Sequence, residues 1–208
     1  MDVIDEKAHT GDVHEHYRIG KELGRGSYAV VKEATHRETR EKFAVKIVDK
    51  KGQAQILQYL KSEIQIMRLL NNHPNIVSCK DIYESDTQLN IIMEFIGGGE
   101  LFDKIVKKQF YSEKEGAEII YTVLQGIKYC HDNQIAHRDL KPENLLCLSN
   151  SVSDLRDIKI ADFGFAKLLK PGQKVQGNLG TTSYKAPELF LNEPHDFGVD
   201  MWALGVIT

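Results

Sequence analysis

The run His137-Arg138-Asp139-Leu140-Lys141-Pro142-Glu143-Asn144 constrains this chain more than any other feature of its sequence. It combines a carboxylate that can act as a base, a cation, and an amide oxygen that can bind a metal ion. Asp162-Phe163-Gly164 and Ala186-Pro187-Glu188 follow it along the chain. A triplet arises easily by chance, but all three motifs in this order leave little room for accident. Together they indicate one catalytic site.

Composition excludes several classes of protein. The chain has 208 residues, 41% of them hydrophobic and 27% charged, and this is typical of a soluble globular protein with a substantial core. A net charge of −3 gives no sign of nucleic-acid binding. Cys79, Cys130 and Cys147 are scattered and suit a reducing compartment. We find no membrane span or signal peptide, and Asp2 excludes myristoylation, so we predict a cytoplasmic (intracellular) protein with no membrane partner.

The pattern along the chain predicts a tail and two lobes. Residues 1–16 are polar and are predicted to be a mobile tail, and a metal site at His14-Glu15-His16 is a weak alternative. Residues 17–96 are predicted to form a β-rich lobe that contains one helix over 54–70, and the glycines at 97–99 mark the boundary. Residues 97–208 are predicted to be mainly helical. There, Ser112 and Glu115 form a capping box before a helix over 113–131, and 149–157 is a polar loop.

Lys46 and Glu63 are charged residues in apolar surroundings. Lys46 lies in the strand-like run 43–48, and Glu63 lies on the apolar stripe of the predicted helix 54–70. A buried charge is costly unless it is paired. Either both side chains reach water, or each is the partner of the other. We favour the ion pair.

The segment Gly24-Arg25-Gly26-Ser27-Tyr28-Ala29-Val30-Val31 lies between two strand-like segments. Glycines allow backbone amides to approach a phosphate closely. Taken alone, the segment fits a plain glycine hairpin at least as well as a phosphate-binding loop.

Four side chains could supply the chemistry of phosphoryl transfer. Asp139 is the candidate base for a substrate hydroxyl, and Lys141 could neutralise charge on the transferred group. Asn144 and Asp162 offer the oxygen ligands that Mg²⁺ prefers. Each alone could be an ordinary surface residue, and it is their combination that indicates catalysis.

From Tyr17 to its last residue the chain resembles a eukaryotic protein kinase. Lys141 within the His137–Asn144 run, and Thr181 within 180–184, resemble the serine/threonine class. The stretches 98–103 and 161–167 are most similar to the calcium/calmodulin-dependent group, including its MAP-kinase-activated relatives. The resemblance implies a bilobal α+β kinase fold with a small β-rich N-lobe and a larger helical C-lobe. It also implies ATP and Mg²⁺ as cofactors and protein hydroxyls as substrates.

The resemblance also implies roles for individual residues. Lys46 and Glu63 would align the α/β phosphates, Asp139 and Lys141 would be catalytic, and Asn144 and Asp162 would bind the metal. Thr181 would brace Asp139, and Asp200 would anchor the backbone of the catalytic run. Met93 would be the gatekeeper, and the backbone of Glu94 and Ile96 would bind adenine. The implied nucleotide-binding residues are Leu23, Gly24, Gly26, Ser27, Val31, Ala44, Lys46, Met93, Glu94, Ile96, Glu100 and Glu143.

Substrate preference and regulation follow from the same resemblance. Glu100 and Glu143 would meet a basic residue of the substrate, which predicts upstream arginine, and Phe165 predicts serine as the acceptor. Residues 165–180 contain no serine, threonine or tyrosine, which predicts activity without phosphorylation in that stretch. A small-molecule kinase is disfavoured by Ala186-Pro187-Glu188.

The sequence stops at Thr208, inside a helix predicted to begin near Val199. We therefore expect an incomplete C-lobe, in which Glu188 lacks its usual arginine partner. A calmodulin-binding segment would lie beyond this end, so calmodulin is not inferred as a partner. The alternative function is a catalytically impaired kinase fragment that binds nucleotide or a partner protein.

Overall fold

The computed structural model describes residues 8–26, 29–50, 54–148 and 157–208. Ser27, most of the predicted loop 149–157, and residues 1–7 of the predicted tail lie outside these ranges. Among the described residues, no helix is both long enough and apolar enough to cross a membrane.

Helices and strands occur in an order typical of an α+β protein. The helices are α1 Val13–His16, α2 Ala54–Leu69, α3 Leu101–Lys108, α4 Glu113–Asp132, α5 Pro187–Phe190 and α6 Gly198–Ile207, with 3₁₀ turns at Pro142–Asn144 and Thr182–Tyr184. The strands are β1 Tyr17–Arg25, β2 Ala29–His36, β3 Lys42–Asp49, β4 Cys79–Glu84, β5 Gln88–Glu94, β6 Ile135–Ala136, β7 Leu145–Cys147, β8 Ile158–Ile160 and β9 Lys167–Leu168.

The chain divides into two compact units. The first comprises residues up to 64 together with 78–95, and the second comprises 65–77 together with 96–208. The change at Ile96 lies next to the predicted lobe boundary, whereas 65–77 group with the second unit although the sequence analysis assigns them to the first lobe. A β-sheet unit and a helical unit confirm the predicted α+β class.

The first unit is built on a five-stranded antiparallel sheet with the strand order β1-β2-β3-β5-β4. In this register Val31 lies opposite Lys46, and Ala44 lies opposite Met93. Directly opposed residues point to the same side of a sheet, and so do alternate residues of a strand. These four residues therefore share one face.

Residues 8–16 contact this sheet in two ways, His9 by pairing with the edge strand β4 and Val13 by packing against the face opposite Lys46. The backbone of His9 accepts from Glu84 N at 3.0 Å and donates to Ile82 O at 2.8 Å. Val13 on α1 is buried in a cluster with Tyr17, Ala34, Phe43, Val45, Tyr83 and Ile92. The prediction of a mobile tail is wrong for these residues. A single buried valine in a polar segment produces no periodicity, and backbone hydrogen bonds to a distant strand leave no mark on the sequence.

The predicted helices 54–70 and 113–131 are confirmed as α2 and α4. Leu60, Ile64, Met67 and Leu70, which define the apolar stripe of the first of these, are all buried. At the start of α4 the hydroxyl of Ser112 accepts from Glu115 N at 3.3 Å, and the carboxylate of Glu115 accepts from Ser112 N at 2.9 Å. The predicted capping box is therefore confirmed.

Two short two-stranded sheets in the second unit bring its motif loops together. Strand β7 pairs with β8, with Leu145 opposite Ile160, and β6 pairs with β9, with Ile135 opposite Leu168. The loop 137–144 lies between β6 and β7, and the loop 161–166 lies between β8 and β9. The strands that flank the first loop, β6 and β7, pair with the strands that flank the second, β9 and β8. The two loops must therefore run side by side.

Candidate active site

In the first unit, Lys46 on β3 meets Glu63 on α2. Their Nζ and Oε1 atoms are 2.5 Å apart, and the two side chains are 10% and 3% exposed. Each charge therefore compensates the burial of the other, which is the usual condition for charged groups inside a protein. The structure brings this predicted pair together.

Val31, Ala44 and Met93 share the face of the sheet that carries Lys46. Ala44 is buried, and Val31 and Met93 are half-buried. This arrangement leaves an apolar surface beside the lysine. Leu23, at 43% exposure, lies on β1 just before the glycine turn.

Gly24 and Gly26 are not explained by protein packing. Among the described residues, a Cβ added at Gly24 would meet no atom within 4 Å, and one added at Gly26 would meet only Ala29 O, at 3.8 Å. Gly26 N donates to Ala29 O at 2.9 Å. The open space beside both Cα atoms fits the approach of a phosphate to the backbone, so these residues fit ATP.

Both backbone and side chain of Glu94 bond to Ser78. Glu94 N donates to Ser78 O at 3.0 Å, and the Glu94 carboxylate accepts from Ser78 N at 2.7 Å. Glu94 remains a candidate backbone contact for adenine, with its position fixed by Ser78. Ile96, the other predicted adenine contact, is half-buried and belongs to the second unit.

In the second unit, Asp139 is held by a network that crosses from one motif to the next. Its Oδ1 atom accepts from Thr181 N and from Thr181 Oγ1, both at 2.8 Å. Lys141 Nζ lies 3.2 Å from its Oδ2 atom and also donates to Thr181 Oγ1 at 2.9 Å. Asp139 is 5% exposed, so its orientation is fixed by these contacts. This arrangement presents Oδ2 beside a cation.

Gly180 permits the close approach of Thr181 to Asp139. Its φ is +93°, which side-chain-bearing residues rarely adopt, and a Cβ would lie 2.6 Å from Arg138 O. Any other residue here would push the segment away from the catalytic run.

The ring of His137 links the two motif loops. Its Nε2 lies 3.1 Å from Ala161 O, and its Nδ1 lies 3.3 Å from Asp139 N. A carbonyl can only accept and an amide N–H can only donate, so both contacts are satisfied when Nε2 carries the proton. His137 thereby positions Asp139 next to the segment that carries Asp162.

Asp200, on α6, anchors the backbone of the catalytic run. This fully buried carboxylate accepts from His137 N at 2.8 Å and from Arg138 N at 2.7 Å, and His131 Nε2 lies 2.8 Å from it. Arg138 has a φ of 68° and donates through Nε to Phe165 O at 2.8 Å. Neither His131 nor the His137 ring is marked as a site residue by any local pattern in the sequence.

The predicted metal ligands Asn144 and Asp162 are brought into adjacent segments. Ala161 N donates to Asn144 O at 2.9 Å. Asn144 Nδ2 donates to Asp139 O at 2.9 Å and lies 3.4 Å from Asp139 Oδ2. Among the described residues its side-chain hydrogen bonds use Nδ2, which leaves Oδ1 as a candidate ligand. An amide oxygen and the exposed carboxylate of Asp162 are hard donors of the type that Mg²⁺ prefers, so these residues fit the metal.

Glu100 belongs to a group of negative charges. Burial raises its pKa, and the nearby charges of Asp103 and Glu143 raise it further, while Lys141 acts in the opposite direction. Glu143 is exposed and Glu100 is half-buried. Carboxylates that repel one another in this way are relieved by a cation, which fits a basic residue of a substrate.

Comparison with known proteins points to one family. The model for the protein kinase domain matches residues 17–208. A probable myosin light chain kinase of Dictyostelium discoideum is 43% identical over 206 residues, which cover 99% of this chain and 58% of that protein. Calcium/calmodulin-dependent protein kinase type I of Schizosaccharomyces pombe is 43% identical, over 92% of this chain and 58% of that protein.

A third relative, serine/threonine-protein kinase DCLK3 of Homo sapiens, is 42% identical over 94% of this chain and 30% of its own length. The chain therefore spans little more than half the length of the first two relatives, and less than a third of the human protein.

Proposed function

Because the chain belongs to the protein kinase domain family, we propose that it transfers the γ-phosphoryl group of ATP to serine or threonine hydroxyls of proteins. The predicted resemblance to the serine/threonine class of protein kinases, and within it to the calcium/calmodulin-dependent group, is confirmed by the relatives. The observation that carries the proposal is the Asp139 carboxylate, oriented by Thr181, Lys141 and the Asn144 amide.

In this proposal Asp139 accepts the proton of the substrate hydroxyl. Thr181 holds Oδ1 through two hydrogen bonds, which leaves Oδ2 to face the substrate. Lys141, adjacent to Oδ2, stabilises negative charge on the group in transfer. Protein kinases use ATP and typically Mg²⁺, which would be held by Asn144 and Asp162 and would neutralise phosphate charge when bound.

The first unit would supply nucleotide contacts. Lys46, fixed by Glu63, would bind phosphate oxygens, and the turn at Gly24 and Gly26 would offer backbone amides. Val31, Ala44 and Met93 would contact the adenine ring. The same assignment includes Leu23, Glu94 and Ser27, the last of which lies outside the described residues, and Ile96 of the second unit.

The substrate is proposed to carry arginine upstream of the acceptor. The repulsion among Glu100, Asp103 and Glu143 supports a cation-binding surface. Phe165, next to the Asp-Phe-Gly motif, supports serine as the preferred acceptor.

Activity is proposed not to require phosphorylation within residues 165–180, where the sequence has no hydroxyl acceptor. In the structure the Nε group of Arg138 donates to the backbone carbonyl of Phe165. A backbone contact of this kind can link the catalytic run to the segment without a phosphate group.

A reducing compartment such as the cytoplasm is proposed as the location. Cys79, Cys130 and Cys147 are all buried, and none of them forms a disulfide. Burial raises the pKa of the Cys130 thiol to about 12 and that of the Cys147 thiol above its usual value, so neither is an activated nucleophile.

The test is Mg²⁺-dependent transfer of phosphate from ATP to an arginine-containing serine peptide. We expect turnover that disappears on chelation of the metal and in Asp139→Asn. Nucleotide binding without transfer would favour the alternative, a kinase-like binding module. Transfer unaffected by Asp139→Asn would show that the activity belongs to another site or to a contaminant.

A further inference from the structure

A groove of about 410 Å³ lies within the first unit, on the face of the sheet opposite Lys46. Ile47 and Lys46 are consecutive residues of β3 and therefore point to opposite faces. Ile47 lines the groove together with Ile19 and Val30. The volume falls within the range of about 300–1,000 Å³ that is typical of small-molecule sites.

The floor of the groove continues the core of the sheet. Ile19 and Ile47 pack against the buried cluster that includes Val13 of α1. Val13 lines the groove at one side, and the aliphatic surface extends past it while remaining half-exposed. A hydrocarbon ligand on this surface would bury the aliphatic side chains that α1 leaves half-exposed.

A buried amide opens into the groove. Asn90 on β5 is 5% exposed and lines the groove, and it makes no side-chain hydrogen bond with any residue in the described ranges. It lies opposite Ile47 on β3 and Tyr83 on β4. Although the residue is buried, its amide atoms keep contact with the open side of the groove, at a place where an aliphatic residue would fit equally well. The amide therefore points to a polar partner that enters from the groove.

The charge of the groove is positive. Lys32 lines it and forms no close ion pair within the described part of the chain, although it lies opposite Glu22 on β1, so that Arg25 and Lys32 are two cations beside one carboxylate. Arg25 also lines the groove but is matched by Glu22, whose carboxylate lies 2.6 Å from Arg25 Nη2. His14 also lines the groove. Lys32 is thus the cation best placed to receive an anion.

We propose that this groove binds a small amphipathic carboxylate. The hydrocarbon part of the ligand lies on Ile19, Val30 and Ile47. Its carboxylate accepts hydrogen bonds from the Lys32 ammonium and the Asn90 amide. Charge-assisted and amide hydrogen bonds to one carboxylate explain why a cation and a buried amide line the same aliphatic groove. The proposal does not depend on the kinase activity.

The test uses decanoate as the probe and decanol as its neutral counterpart. Both are titrated into the 208-residue chain below the concentration at which decanoate forms micelles, by calorimetry and by NMR. We expect saturable one-to-one binding of decanoate, with decanol weaker by roughly fivefold or more, as a lost charge-assisted hydrogen bond implies. The side-chain amide signals of Asn90 should shift with decanoate.

Matched variants distinguish this site from general surface binding. Lys32→Gln should weaken decanoate binding by roughly fivefold, while Lys80→Gln, an exposed lysine on β4 outside the groove, should change it less than about twofold. Asn90→Leu keeps the volume and removes the amide, so it should reduce the preference for decanoate over decanol. Decanoate affinity unchanged in both Lys32→Gln and Asn90→Leu would overturn the proposal. So would non-saturable binding, or a preference for an acidic apolar peptide with no response to decanoate.

Discussion

The two units hold their charged site residues in different ways. In the first unit, the ammonium group of Lys46 meets the carboxylate of Glu63, a contact between two long side chains on separate elements. In the second unit, Asp139 is held by the Thr181 backbone, the Thr181 hydroxyl, the Lys141 ammonium and the Asn144 amide. Side-chain ion pairs depend on where a helix lies, whereas backbone donors are fixed by the loop itself. The lysine is therefore sensitive to movement of α2, and the base is fixed by its own loops.

The largest expected effect is on the base. Asp139→Asn should lower kcat by about 10²–10⁴, because the amide cannot accept the substrate proton. The amide oxygen can still accept from Thr181, so the melting temperature should change little. Steady-state kinetics and thermal unfolding of the same preparation check both parts. A large loss of stability with only a minor loss of kcat would show that Asp139 stabilises the second unit and does not act as the base.

Lys46→Met should affect stability as well as catalysis. The substitution leaves Glu63, at 3% side-chain exposure, without its cationic partner. Breaking a buried pair in this way costs about 3–5 kcal/mol of unfolding free energy. Denaturant unfolding measures the loss, and phosphate transfer should fall in parallel.

The double variant Lys46→Met/Glu63→Leu separates the two effects. Removing both charges should restore most of the stability, because no uncompensated carboxylate remains buried. Phosphate transfer should stay low, since no ammonium is left to bind phosphate. If the single variant were as stable as the unaltered chain, the ion pair would contribute nothing to the first unit.

A smaller effect is expected at Glu100. Burial, followed by the charges of Asp103 and Glu143, raises its pKa, so it should take up a proton at higher pH than an ordinary glutamate. The advantage of an arginine peptide over an alanine peptide should therefore decline, as pH falls, before ordinary glutamates titrate. The ratio of kcat/KM for the two peptides, measured across pH, follows this change.

Glu100→Gln should reduce the arginine preference several-fold at neutral pH, since one charge of the group is lost. Glu113→Gln, at an exposed acid that begins α4, is the matched control and should leave the preference unchanged. An arginine preference that is unaltered in Glu100→Gln would remove this residue from substrate recognition.

The contrast between the two units also explains which contacts could be predicted from the sequence and which could not. Lys46 and Glu63 could be paired because each interrupts an apolar pattern, and Ser112 and Glu115 because a capping box is local. The contact of Asp139 with Thr181 joins residues far apart in the chain, so only the family resemblance indicated it.

No pattern in the sequence shows how residues 8–16 or the segment 65–77 are held in the fold. Val13 is a lone apolar residue among polar ones, and its burial depends on aromatic residues of distant strands. In residues 65–77, Asn75 Nδ2 donates to Ile158 O at 3.0 Å, and Val77 N donates to Ile160 O at 2.9 Å. Hydrogen bonds to a strand some eighty residues away tie this segment to the second unit, and no periodicity reports them.

The smallest expected effect is at the start of α4, away from both sets of site residues. Ser112→Ala removes an N-cap and should cost about 1 kcal/mol of unfolding free energy at neutral pH without changing kcat.

A hydrogen bond from Lys108, followed by those from Ser112, lowers the pKa of Glu115 to about 2, below its ordinary value of 4.5. A lowered carboxylate pKa contributes stability that is complete above about pH 4.5 and is lost as pH falls toward about 2. The difference between Ser112→Ala and the unaltered chain should therefore be constant from neutral pH down to about pH 5 and should shrink below it, as urea unfolding across pH would show. A change in kcat in this variant would mean that α4 affects the hydrogen bonds around Asp139. The orientation of the base would then depend on α4 as well as on its own loops.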